Sequence, residues 1–172
     1  MKLHLGCGVN IKEGYINHDI CKDKGVDVTF DLNKFPYPFK DNQFDEIFSE
    51  HVLEHLDSVD KVLTEWYRIS KNNGTIKIRV PHHASGNAFA DPTHKQFMNH
   101  RFFLCLEYTD KANRNLKNKI KFNFKIEKLW ITLVWWAKPL EFIINQIKGF
   151  YDYSLCYVIR PTDIVVELRV KK

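Results

Sequence analysis

Three residues near the start of the chain have the types and spacing to hold a nucleotide-like ligand. Gly6 and Gly8 flank Cys7 directly after the apolar run Leu3-His4-Leu5, and Asp19 stands at the end of a second run 13 positions on (19 − 6). Glycine at such a turn lets a ligand approach the backbone and tolerates φ > 0. A carboxylate at the tip of the next strand can accept hydrogen bonds from both hydroxyls of a ribose. The interval is shorter than the roughly 20 residues of dinucleotide-binding units. The connection therefore has room for one helical turn at most, which disfavours a nicotinamide cofactor.

Histidines form the second chemical set. Neutral imidazole is available near pH 7 to take a proton, and His51, His83 and His94 are the candidate bases. His82, His83, His94 and His100 crowd one stretch with Asp91. Adjacent histidines on a strand point apart, and this group lacks the helical spacings HxxxH and HExxH, so no metal site is expected there. Glu54 and His55 are expected to face solvent or cap a turn.

Alternating elements must position these groups. Residues 26–32 and 44–50 read as strands, separated by the Pro-rich loop 35–43. From Ser58, apolar residues fall at Val59, Val62, Leu63, Trp66 and Ile69, the spacing of a helix buried on one face. Lys71 to Gly74 carries basic and turn-tolerant residues suited to closing that helix. Residues 75–80 alternate as a strand that stops at Pro81. Strands alternating with helices predict a parallel sheet with ligands at the carboxyl ends of its strands.

The second half is less regular. Residues 82–96 read as loop, Asn99 as the cap of a helix to Tyr108, and 110–119 as a polar, basic connection. A strand is expected from Ile120 toward Trp135, a helix from Pro139 to Ile147, a further helical piece over 150–159, and a last strand over 163–170. Trp135 and Trp136 are adjacent and cannot both face one way in a strand or a helix. The aromatic stretch is read as core or as a cover over a pocket.

Length and composition suit one globular domain: 172 residues, 44% hydrophobic and 27% charged. A net charge of +5 permits an anionic partner without requiring one. The four cysteines form no CxxC pair, and the first strand begins almost at Met1, which fits free thiols in a cytoplasmic protein. The apolar window 129–137 is far short of the roughly 20 residues of a membrane-spanning helix. A surface-lying helix, peripheral membrane contact or a homodimer face stays open.

In this order, these motifs resemble the class I S-adenosylmethionine-dependent methyltransferases. The resemblance is carried by residues 3–8, Asp19, Asp31-Leu32, residues 41–56 and residues 72–81, about half the chain. Closest is a small branch with Asp-Pro-Thr-His-Lys after the fifth strand, here Asp91 to Lys95. It implies a Rossmann-like α/β sheet, mostly parallel with an antiparallel last strand; the helices that the family commonly carries before the first strand are expected to be absent, since that strand starts almost at Met1. Residues 1–172 would form one domain with a helical, aromatic-rich insertion at about 135–160. The implied cofactor is S-adenosyl-L-methionine, held by Leu5, Gly6, Cys7, Gly8, Asn10, Asp19, Ile20, Asp31, Leu32, Ser49, Glu50 and His51. Two positions depart from the pattern: His4 replaces the usual acid of the first strand, and Asn10 replaces a third glycine. The implied acceptor is a small molecule or glycan, with RNA as the alternative, or the chain is a cofactor-binding partner subunit without independent activity.

Overall fold

The computed structural model describes residues 1–107 and 122–172. Among the described residues seven strands form one sheet: β1 (Lys2–Leu5), β2 (Ile16–Asp19), β3 (Val28–Thr29), β4 (Phe44–Glu50), β5 (Ser70–Pro81), β6 (Phe124–Leu133) and β7 (Pro161–Val170). Their order is β3-β2-β1-β4-β5-β7-β6. Pairs from β3 through β5 are parallel, and β7 runs antiparallel to both β5 and β6. The expected sheet, mostly parallel with an antiparallel last strand, is the one observed.

The chain leaves β1 toward β2 on one side and later returns to β4 on the other. That reversal opens a crevice at the carboxyl ends of β1, β2 and β4, the usual place for a ligand in an open α/β sheet. Beneath it, α1 (Val59–Ile69) lays Val62, Leu63, Trp66 and Ile69 on Ile47, Ile76 and Ile78, all essentially inaccessible to water. Each such side chain contributes about 1.5–3 kcal/mol by leaving water, so this face fixes how β4 and β5 present their ends.

Several expected boundaries move. The strand over 26–32 shrinks to Val28–Thr29, because β3 is an edge strand and the chain beyond it turns inward, where the Tyr37 hydroxyl donates to Leu32 O. Residues 71–74 do not close α1. The helix ends at Ile69, Ser70 Oγ donates back to Trp66 O, and Ser70 already pairs with Phe44 in β5. Asn73 takes the positive φ of the resulting irregularity. Within the expected loop 82–96, Ser85 caps a short helix, α2 (Gly86–Ala90), by accepting from Asn87 N. Asn99 Oδ1 accepts from Phe102 N at the start of α3 (His100–Glu107), as expected. Tyr108, the basic connection 110–119 and Ile120 lie outside the described residues.

The aromatic segment is helical but broken. A 3-10 turn (Trp135–Leu140) leads into α4 (Glu141–Gln146), one further turn (Lys148–Phe150) and a π turn (Tyr151–Leu155). Ala137, Ile144, Tyr151 and Cys156 join Ile131 and Leu133 in a second apolar cluster. Trp135 and Trp136 are 84% and 53% exposed. The segment is thus part core and part open aromatic surface.

Candidate functional site

The crevice is a cleft of about 360 Å³ lined by Gly6, Gly8, His18, Asp19, Ile20, Asp31, Leu32, Asn33, His51, Val52, His55 and Leu56. Seven of the residues expected at the cofactor meet there. Gly6 and Gly8 have φ of +64° and +50°, the left-handed region that glycine enters at little cost. Asp19 ties the turn to β2: its Oδ2 accepts from Gly8 N at 2.8 Å and its Oδ1 from Cys21 N at 3.3 Å. A carboxylate oxygen has lone pairs beyond these bonds, so Asp19 could accept from ribose hydroxyls while it holds the turn. Asp31 accepts from Asn33 N and Lys34 N bonds to its carbonyl, which fixes the loop opposite.

Other expected contacts fall elsewhere. Leu5, Cys7 and Ser49 are buried and are not among the residues that line the cleft. Glu50 accepts from Arg79 Nη1 at 2.9 Å, and Arg79 also donates to Asp163 Oδ2 through Nε and Nη2. Asn10 does not adopt a positive φ; Gly14 does.

His4, at the position of the usual acid, is buried. Its Nδ1 donates to Asn17 Oδ1 at 3.2 Å and its ring packs edge-on against Phe48. Burial pushes its pKa below the ordinary value. It braces β1 against β2 and lines no part of the cleft.

His18 is the residue that reading the sequence missed. Its Nε2 donates to Phe30 O at 2.9 Å, leaving Nδ1 to accept from Gly6 N at 3.4 Å. Only the neutral ring can make both bonds, and burial pushes its pKa down as well. The hint in the sequence was its place beside Asp19. Both rings resist protonation when folded but charge near 6.5 once unfolded. Their contribution to stability is thus complete above that value and declines as pH falls below it, by about 1.4 kcal/mol per group per pH unit until the folded pKa is reached. Thermal melts between about pH 5 and 8 should show a falling Tm below 6.5, and His4→Gln should flatten part of the slope.

The three candidate bases are not brought together. His51, at φ +54°, lines the cleft; its Nδ1 donates to Glu54 Oε1 at 3.2 Å and its Nε2 lies 3.8 Å from Asp163. The Glu54 hydrogen bond raises its pKa against the effect of burial. His83 lines a separate cavity of about 260 Å³ with Ala84, Ser85, Gly86, Phe89, Tyr157 and Arg160. His94 packs its ring against His55, centroids 4.7 Å apart. Contrary to expectation, Glu54 is 1% exposed and His55 faces the cleft rather than solvent alone.

Comparison with known proteins decides the chemistry. Residues 6–78 match the family model described as a methyltransferase domain. The chain is a methyltransferase with S-adenosyl-L-methionine as its cofactor. No curated protein matches it in sequence. Its fold is similar to that of an S-adenosylmethionine-dependent methyltransferase from Archaeoglobus fulgidus, at 21% identity and a TM-score of 0.64, over 98% of this chain and 85% of that one. A second such enzyme, from Mesorhizobium loti, shares 13% identity at a TM-score of 0.61, covering 98% and 89%. A chain of the Haloferax volcanii complex between the Trm112 methyltransferase activator and a methyltransferase gives 12% identity and 0.57, covering 99% and 82%. These likenesses are to the fold.

Proposed function

We propose that this methyltransferase acts on a small-molecule or glycan acceptor, holding its cofactor in the cleft between β1, β2 and β4. The observation that carries the site is the convergence of Gly6, Gly8, Asp19, Asp31 and Leu32 on that one cleft. In this reading Asp19 accepts the ribose hydroxyls, Asp31 and Leu32 flank the adenine, and His51 marks the end where the methionine moiety lies. When bound, the cofactor supplies an activated methyl group on a sulfonium, and the enzyme supplies alignment. For a hydroxyl acceptor, His51 is the candidate base on position alone, since His83 and His94 line no part of the cleft.

We read residues 1–172 as one methyltransferase domain, with about 135–160 as an insertion before the last strand. None of that insertion lines the cleft, so it is not its cover in this conformation. Its open aromatic face suits a partner or a second copy of the chain. No described helix is long and apolar enough to cross a membrane, and the four cysteines are unpaired, which suits a cytoplasmic setting. The Asp91 to Lys95 sequence supports the branch assignment.

S-adenosylhomocysteine is expected to bind with micromolar affinity, about −8 kcal/mol, and to raise the Tm by linkage. Asp19→Ala should weaken binding by roughly 1.5–3 kcal/mol, the worth of charge-assisted hydrogen bonds together with a loosened glycine turn. Calorimetry on the two proteins measures both numbers. Turnover on glycan, small-metabolite and RNA fractions then tests the acceptor class; methylation confined to RNA would overturn it.

A further inference from the structure

Beside the cleft, Glu54, His55 and His94 each bring one ligand-type atom to within 4.8 Å of the others. Ligands around a tetrahedral first-row ion stand about 3.3 Å apart, a gap that small rotations of the half-exposed imidazoles close. Their hydrogen bonds settle which atoms remain free. His94 Nδ1 lies 2.9 Å from the carbonyl of Ala88; a carbonyl only accepts, so Nδ1 carries the proton and Nε2 a lone pair. His55 Nδ1 lies 2.9 Å from Thr93 Oγ1, whose own hydrogen goes to Asp91 Oδ1 at 2.6 Å. Nδ1 of His55 must then donate, and its Nε2 is likewise free.

Glu54 supplies the third atom and an independent sign of a ligand. The residue is 1% exposed, and one oxygen accepts from His51. The other, Oε2, is buried with no hydrogen-bond partner among the described residues. An ionised oxygen left so is costly. Two neutral imidazoles and one buried carboxylate oxygen are a donor set for a divalent transition ion, with each histidine oriented through its other nitrogen.

We propose that Glu54, His55 and His94 bind a divalent first-row ion such as Zn²⁺ at the rim of the cofactor cleft. Three protein ligands leave coordination positions open, and His55 belongs to both the cluster and the cleft lining. The site also accounts for the Asp91 to Lys95 motif. Asp91 and Thr93 orient His55, His94 is a ligand, and the Lys95 and Gln96 backbone N–H groups hold Glu54 O at 2.7 and 3.0 Å. In the function proposed above, on which this role rests, the ion takes the acceptor hydroxyl oxygen. The ion acidifies that oxygen so that His51 is not needed as the base: it releases its proton to solvent and forms the O–CH₃ bond as the S–CH₃ bond breaks, leaving the neutral thioether.

The test uses the full chain, stripped with chelator and titrated with Zn²⁺ by calorimetry and with Co²⁺ as a visible probe. One tight equivalent is expected, with Co²⁺ bands lacking thiolate character, which excludes the exposed Cys21 and Cys105. His94→Gln and Glu54→Gln should each weaken binding about 100-fold and Thr93→Val about tenfold. Thr93→Val removes no ligand, so its loss reports the orientation of His55. Zn²⁺ binding unchanged in both ligand variants, or absent from wild type, overturns the proposal. S-adenosylhomocysteine affinity is measured on the same samples: its absence with Zn²⁺ bound would sink the cofactor cleft and spare the metal site, while the reverse would sink the metal site alone.

Discussion

Replacing Gly6 by valine is expected to abolish S-adenosylhomocysteine binding and to lower the Tm by about 5–15 °C. The backbone at Gly6 has φ +64°, and a Cβ there would sit 2.2 Å from Cγ2 of Val52. The left-handed conformation costs a residue with a Cβ about 1–2 kcal/mol, and overpacking against a stiff β-branched neighbour about 1–3 more. The motif alone suggests a side chain that enters the crevice and leaves the sheet untouched. Instead Val52, which lines the cleft, fills that space, so folding and binding should suffer together. Two further variants separate the effects. Gly6→Ala with Val52→Ala removes the close methyl and should recover the overpacking share of the Tm loss, leaving the left-handed cost. Gly8→Ala, where φ is +50° but a Cβ meets nothing within 4 Å, should carry only the left-handed cost of about 1–2 kcal/mol, about 2–8 °C in Tm, and lose affinity, because there the open space belongs to the ligand. Normal affinity in Gly6→Val would move the cofactor out of this cleft.

The difference between those two glycines shows what the sequence could carry. Local order was legible because it repeats within a few residues. The strand Phe44–Glu50 and the buried stripe of α1 appear where alternation and helical spacing place them. Gly6, Gly8, Asp19, Asp31 and Leu32 were legible because short turns at successive strand ends converge on one crevice. The chemistry beside the cleft was not, since it is assembled across distance. Glu54 and His55 sit on one 3-10 turn, while His94 and the backbone N–H groups that hold Glu54 come from the loop after β5. No periodicity connects positions some forty residues apart. His51 takes a positive φ without being glycine, and nothing in its identity announces that. The aromatic stretch was ambiguous for a different reason. Apolar content says a residue can be buried, whereas exposure of Trp135 and burial of Tyr151 depend on which face the β6 and β7 ends offer.

Removing the carboxylate of Asp152 is expected to have the largest effect on stability. Asp152 lies in the π turn, 8% exposed, between two buried imidazoles. His82 Nδ1 accepts from Ala84 N, so its Nε2 carries the hydrogen that Asp152 Oδ1 receives at 2.9 Å. The other oxygen accepts from His100 Nδ1. Burial pushes the carboxyl upward in pKa, but the hydrogen bonds from His100 and His82 outweigh it and hold the group well below the usual carboxylate range. This one side chain therefore joins the end of β5, the start of α3 and the aromatic insertion. Asp152→Ala leaves two buried N–H groups without acceptors and should cost about 3–5 kcal/mol, or roughly 10–15 °C in Tm. Asp152→Asn keeps one acceptor and should cost less. The loss should also be local. Hydrogen exchange in Asp152→Ala should quicken across 135–158 and leave α1 and the strands β1, β4 and β5 protected, because the main apolar cluster contains no residue of the insertion. Cofactor affinity should then hold, since the cleft is built from that main body. Wild-type protection across the insertion would instead place its anchoring in the packing of Ile144, Tyr151 and Cys156, and a matching loss of cofactor affinity would show that the insertion shapes the cleft after all.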